Sequence, residues 1–305
     1  MIDIILATYN GDKYIRQQLF SLLAQTYTDW RCIVHDDGST DGTLSIVKEI
    51  ATLDSRIILK EDGIRLHDAG KNFLHGLSYS TADYICFCDQ DDVWLDTKLE
   101  KMFAAIEACN NEIPQVVFSN AYLWKSDTNV ICGNATLAFP NDIESLLFLN
   151  CGIQGASAIF NRKMKDCLLV PLENLVMHDW YLTIIGCTIG EIGYLHENLM
   201  LYRQHGENVT GDADGSMKKK FLAVLMRKSP LVDCKHLKSL ESFFQVWREK
   251  LSENDRKSIQ GFIEVVKKGF FARFLFILRG KWRIYDSQIK LIAKFFLRPY
   301  IGGKK

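Results

Sequence analysis

The alternation in the first 120 residues constrains the fold most: short β-branched and aromatic runs are separated by stretches with helical spacing. Ile2–Thr8 is strand-like, and the stretch 14–24 places Tyr14, Ile15, Leu19, Leu22 and Leu23 on one helical face. A second strand at 32–35 ends in Asp36-Asp37-Gly38-Ser39, with Thr40 or Asp41 positioned to cap a helix over 43–52. A strand at 56–60, a helix at 70–80 and a strand at 84–88 continue the series. Strands separated by helices of this length make βαβ units with right-handed crossovers, hence a parallel sheet. The strands' carboxyl ends then share one edge, where open α/β sheets bind their ligands.

Further along, the pattern predicts a helix over 96–109, a strand at 115–119, and a hairpin of 121–124 with 130–133, so the sheet is expected to be mixed. A helix near 142–150, a segment 155–160, a helix from 178 and a strand at 199–203 follow. The polar, glycine-rich stretch 206–215 reads as a connector, dividing an α/β domain (1–215) from a basic amphipathic helical region (216–305). Charge supports this division. Residues 1–215 hold 15 Lys/Arg and 30 Asp/Glu, whereas 216–305 hold 22 and 7. Nine cysteines without a CxxC pair argue for a reducing cytosol over a disulfide framework. The amino terminus does not read as a signal peptide, and no uncharged apolar run of about 18 residues occurs.

Three carboxylates in Cys88-Asp89-Gln90-Asp91-Asp92 directly follow an apolar strand. Such groups must be solvated, paired or bound to a cation. Continued strand geometry would turn Asp89 and Asp91 to one side and Asp92 to the other. Two oxygen ligands facing one point suit Mg²⁺ or Mn²⁺ shared with a ligand's phosphates. In Asp36-Asp37-Gly38-Ser39, one carboxylate could accept from a base or ribose while the other residues serve the turn. Ala7-Thr8-Tyr9-Asn10-Gly11 ends the first strand with a ring able to stack and a glycine permitting close approach. His178-Asp179-Trp180 stands at a helix start, and Arg203-Gln204-His205 precedes the connector with groups suited to anion or metal contact.

In kind and order, ATYNG, DDGSTDGT, DQDDVW, HDW and YRQHGENVTG resemble the inverting family 2 glycosyltransferases of GT-A fold, particularly bacterial rhamnosyltransferase-like members. The resemblance covers roughly residues 1–211. It implies a GT-A (Rossmann-like) mixed sheet, a nucleotide-sugar donor and Mg²⁺ or Mn²⁺. By resemblance Asp37 meets the pyrimidine base, Tyr9 contacts base or nucleotide, and Ala7, Lys71, Asp89 and Gln90 complete the donor-binding set. Asp91 is then the principal metal ligand, with His205 also assigned to the metal, and Asp179 the catalytic base. His178, Trp180 and Arg203 are assigned to acceptor or phosphate. The processive QxxRW motif is missing, so addition of a single sugar is expected, with rhamnose from a dTDP donor favoured and UDP-linked hexoses open. The acceptor is expected to be a cell-surface glycan or a lipid-linked saccharide.

The basic region mixes Lys218-Lys219-Lys220 with Phe270-Phe271-Ala272-Arg273-Phe274-Leu275. Peripheral docking on anionic lipid at the inner face of the membrane, packing against the acidic domain, and a solvated basic face are the three readings. Nucleic acid is not expected as a partner, because no recognised module is present. The competing functions are a catalytically silent sugar-nucleotide-binding assembly subunit, a nucleotidyltransferase and a haloacid-dehalogenase-type phosphatase. The phosphatase would carry its DxD near the amino terminus, and the nucleotidyltransferase an early Gly- and Arg-rich loop.

Overall fold

The computed structural model describes residues 1–136, 138–204 and 230–302. Its centre is a mixed nine-stranded sheet. Strands β1 (Ile2–Thr8), β2 (Trp30–Asp36), β3 (Ile57–Lys60) and β4 (Tyr84–Cys88) form its parallel half in the order 3-2-1-4. Beyond β4 lie β8 (Ala158–Asn161), β6 (Gln115–Lys125), β9 (Glu191–Gln204) and β5 (Val93–Trp94). The β4–β8, β8–β6 and β9–β5 pairs are antiparallel, and β7 (Val130–Asn134) pairs antiparallel with β6. The mixed sheet expected from the hairpin is therefore observed. Residues 115–124, read as two strands, are one strand whose register shifts around Asn120.

Period-two alternation sends each parallel strand to two cores. Ile2, Ile4 and Leu6 of β1, Trp30, Cys32 and Val34 of β2, and Cys86 and Cys88 of β4 face one side. There they meet α1 (Ile15–Leu23), α2 (Thr43–Leu53) and α4 (Lys98–Glu107). Ile5, Ile33, Ile85 and Phe87 face the other side, with α3 (Ala69–Ser78), α5 (Ile143–Leu146), α6 (Arg162–Leu168) and α7 (His178–Thr188). The helices Cys234–Trp247, Glu253–Val266, Phe270–Arg279 and Gln288–Leu297 join that second core through Phe243, Trp247, Phe262, Ile277, Leu291 and Phe295. The basic carboxyl-terminal region thus shares a continuous apolar interior with α7. The Trp247 indole N–H donates to the Tyr181 hydroxyl at 3.0 Å, closing that seam with a buried hydrogen bond. The connector and Lys218-Lys219-Lys220 lie outside the described residues.

One buried charge holds the sheet together at its amino-terminal side. Asp3 is fully buried and accepts from Arg31 Nε at 2.6 Å, Ser80 Oγ at 2.7 Å and the amides of Thr81 and Ala82 at 2.9 and 3.0 Å. Burial pushes its pKa up, but these donors outweigh burial and hold it below the usual carboxylate value.

Candidate active site

Three loops meet at the carboxyl edge because their strands are neighbours: Thr8 lies opposite Asp36, and Leu6 opposite Cys88. Asp36 serves its own turn, accepting from Thr8 Oγ1 at 2.8 Å and from the amides of Gly38 and Ser39 at 3.0 and 2.7 Å. Asp37, assigned to the base, is buried; its carboxylate accepts from the backbone amides of Leu66 and Asp68 and so anchors the loop between β3 and α3. Lys71 is exposed in the first turn of α3, where Asp68 caps the helix through the Lys71 amide at 2.9 Å. Ala7 is half-buried opposite His35.

The Gln90 side chain spans the mouth between β1 and β4. Its Nε2 donates to the Tyr9 carbonyl and its Oε1 accepts from the Tyr9 amide, both at 3.0 Å, imitating one rung of a sheet. Gly11 makes room for it, since a Cβ there would stand 2.3 Å from Gln90 Oε1. The Tyr9 ring remains exposed beside this clamp.

The chain turns at Gln90 and Asp91, so the acidic residues do not simply continue β4. Asp89 stays partly open to solvent on a crowded floor, and burial, Asp91 and Asp179 together push its carboxyl up. Asp92, expected to point elsewhere, is fully buried: Oδ1 accepts from the Arg203 amide at 3.1 Å, and Oδ2 has no partner. Burial, then Asp89 and Asp91, drives its carboxyl far up. Crowded carboxylates with an orphaned oxygen are a set that a divalent cation or a proton relieves. An oxygen-only set fits Mg²⁺ or Mn²⁺, which need one or two carboxylates when a ligand's phosphates supply the rest.

Lys98, overlooked in the sequence, lies beneath these acids. It is fully buried, donating to the Ala156 carbonyl and standing 3.8 Å over the Trp94 ring. Burial lowers its pKa to about 8, against the opposing fields of Cys86, Cys88, Asp92 and Asp89. It was detectable: Lys98 shares the stripe of α4 with Met102 and Ile106, an unusual place for a cation. Asp92 carried no comparable signal.

Asp179 sits in the first turn of α7, and its Oδ1 accepts from the Trp180 amide at 2.6 Å. Burial raises its pKa to about 6, partly offset by that bond. The 151–155 loop lies directly on this helix start, because a Cβ at Gly155 would be 3.2 Å from Asp179 Cβ. Gly70 of α3 approaches from the other side, where a Cβ would be 3.2 Å from the His178 amide nitrogen. The Phe87 ring of β4 lies 4.7 Å from the His178 ring, which brings the Asp89 turn and the Asp179 helix start together.

Three of the assigned residues lie in the interior. His178 is buried between Phe73 and Phe87, with ring centroids at 4.0 and 4.7 Å; burial drops its pKa to about 3, so it is a neutral core ring instead of an acceptor contact. Trp180 is buried in the core that also holds Leu146, Val232 and Leu237, with its ring 6.1 Å from His236. Arg203 is also buried. Its Nε donates to the Asp91 carbonyl and its Nη2 to Gln17 Oε1, each at 2.6 Å, while Trp124 lies 4.3 Å from the guanidinium. It braces the acidic loop. His205 lies outside the described residues. Among the described residues, the trio of His, Cys, Asp or Glu side chains with ligand atoms within 4.8 Å of one another is His35, Asp62 and His75, behind β2. Asp62 is fully committed there, accepting from His75 Nε2 and the Tyr79 hydroxyl at 2.6 Å and from the Ile64 amide at 2.9 Å.

Residues 3–168 match the profile of Glycosyl transferase family 2, more than half of the chain. The chain belongs to that family. It is 29% identical over 232 residues to the dTDP-rhamnosyl transferase RfbG of Shigella flexneri, covering 71% of this chain and 76% of that protein. A second relative is the UDP-Glc:alpha-D-GlcNAc-diphosphoundecaprenol beta-1,3-glucosyltransferase WfgD of Escherichia coli, 28% identical over 186 residues, 60% of this chain and 68% of that protein. Among solved structures, the mannosyltransferase PcManGT from Pyrobaculum calidifontis, in complex with GDP-Man and Mn²⁺, superposes with a TM-score of 0.54. The identity is 15%, and 89% of this chain and 71% of that one are covered, which establishes the GT-A fold. As a family 2 glycosyltransferase, the protein transfers a sugar from a nucleotide-sugar donor.

Proposed function

We propose that the protein moves a single sugar, with inversion, from a nucleotide-sugar donor to a hydroxyl of a lipid-linked or cell-surface saccharide. The favoured donor is dTDP-rhamnose, a reading supported by the likeness to the dTDP-rhamnosyl transferase RfbG. The lipid-linked acceptor draws support from the diphosphoundecaprenol acceptor named for WfgD. The observation that carries the mechanism is the meeting of two acidic elements: the turn after β4, where Asp92 is buried with Oδ2 unpartnered next to Asp91, and the start of α7, where Asp179 follows the His178 ring that packs 4.7 Å from Phe87 of β4.

Asp91, with Asp89, would hold Mg²⁺ or Mn²⁺. When bound, such an ion neutralises the charge growing on the leaving diphosphate. Asp37 and Tyr9 are the residues for the base, and the Gln90 clamp keeps the Tyr9 loop in register with the acids. The acceptor hydroxyl must lose its proton as it attacks the anomeric carbon. A carboxylate at about 6 is a stronger base than one at 3.8, yet is ionised at neutral pH. Attack opposite the leaving group inverts the anomeric centre, and alignment of the two substrates supplies much of the acceleration. The test is thermal shift of the full chain against a panel of nucleotide sugars, with Mn²⁺ and with chelator. Stabilisation by a dTDP-sugar that chelator abolishes is the expected result. Stabilisation by no nucleotide sugar, or equal stabilisation with chelator, would refute the donor and metal assignments.

A further inference from the structure

Two carboxyl-terminal helices present apolar residues outward. In Phe270–Arg279 only Ile277 is buried, while Phe271, Leu275 and Leu278, spaced i, i+4 and i+7, are 78%, 45% and 45% exposed. In Gln288–Leu297, Ile289 and Phe296, also seven apart, are 79% and 58% exposed, and Leu297 is exposed beside them. The two faces join: the Phe270 ring lies 5.6 Å from Phe271 and 6.0 Å from Phe296, and Phe274 lies 5.3 Å from Phe296. A contiguous aromatic and aliphatic surface of this kind needs a cover.

The surrounding charge selects the cover. Residues 267–298 contain nine Lys/Arg and one acid, Asp286. Lys267, Lys268, Arg279, Lys281 and Lys290 are exposed. An apolar face rimmed by cations complements anionic headgroups over acyl chains. The neighbouring half of the chain is acidic, which would repel such a surface, so this face would lead the approach.

The Gln288–Leu297 helix is also tied to the Asp179 side. Ile301, just beyond it, pairs with Val232, and Asn150 donates to the Leu231 carbonyl and accepts from the Asp233 amide, both at 2.9 Å, at the base of the 151–155 loop that lies on the Asp179 helix start. We infer that the exposed faces of Phe270–Arg279 and Gln288–Leu297 dock on an anionic lipid bilayer, setting the Asp179 side of the cleft towards a membrane-held acceptor. The orientation rests on the lipid-linked acceptor proposed above; the docking itself does not.

The experiment is co-sedimentation of the full chain, without any sugar, with vesicles of phosphatidylglycerol and phosphatidylcholine or of phosphatidylcholine alone. Binding to the anionic vesicles should exceed binding to neutral ones by at least about tenfold and fall steeply between about 0.1 and 0.5 M salt. The double variant Phe271→Asp/Phe296→Asp should lose at least about tenfold in binding, while metal-dependent donor binding is unchanged. Retained donor binding shows that the variant is folded and separates failure of docking from failure of the transferase reading. Absence of vesicle binding, or binding untouched by the double variant, would overturn the inference. So would a concentration-dependent dimer that the double variant abolishes in a chain that ignores vesicles.

Discussion

The raised carboxyl of Asp179 gives a quantitative pH prediction. An ordinary Asp at 3.8 is about 94% ionised at pH 5, so a reaction using it as base barely changes between pH 7 and 5. Burial moves Asp179 to about 6. Its base form is then about 90% populated at pH 7 and about 9% at pH 5, so kcat/KM should fall about tenfold across that interval. The sign follows from the direction of the shift: protonation removes the base, so activity is lost as pH falls and is restored on returning to pH 7. The assay is nucleoside diphosphate release at subsaturating acceptor and saturating Mn²⁺, with each sample re-assayed at pH 7 to exclude unfolding. A profile flat down to pH 5, or one that rises on acidification, would refute burial as the means of tuning this base.

Other substitutions probe the frame. Asp3→Ala should cost about 1–3 kcal/mol, because the amides of Thr81 and Ala82 lose their acceptor while Arg31 is 28% exposed and can turn to water; chemical denaturation measures it. Because Asp3 is depressed below 3.8, its contribution is present above that pH and is lost as pH falls through the folded value. Gly11→Ala should displace the Gln90 amide from Tyr9 and raise the donor KM by about tenfold or more, with a change in Tm of only a few degrees. Asp179→Asn should stabilise the fold by about 1 kcal/mol at pH 7, since the raised pKa means that ionisation opposes folding there and partial exposure softens the penalty. A lower Tm for that variant would contradict this.

Legibility differed by region for physical reasons. The parallel half of the sheet was readable because Ile2, Ile4 and Leu6 alternate with Asp3 and Ile5, and because acids follow β4 abruptly. The antiparallel half was less so. Only 199–203 of β9 read as a strand, yet it runs from Glu191 to Gln204, because its edge-side residues are half-exposed and its partner β6 is distant in sequence. The acids of the site were visible as residues, but their surroundings were not. His178 and Trp180 flank Asp179 at a helix start whose apolar residues surround the axis, so nothing in the spacing says which side faces the cleft. Arg203 looked like an anion contact because its sequence neighbours are polar. Its actual partners, Gln17 of α1 and Asp91 of the acidic turn, lie more than 100 residues away in sequence. The aromatic run at 270–275 was legible as composition, while its outward face depended on Ile277 being the one residue of that helix taken into the core.

The division of labour between the acidic loop and Asp179 is tested most directly by single-turnover transfer in Asp179→Asn with donor affinity measured on the same sample. The account predicts a donor Kd in the presence of Mn²⁺ within about twofold of the parent and a transfer rate lower by about 10²–10⁴. A rate near that of the parent, or a loss of donor affinity that explains the slower transfer, would contradict it.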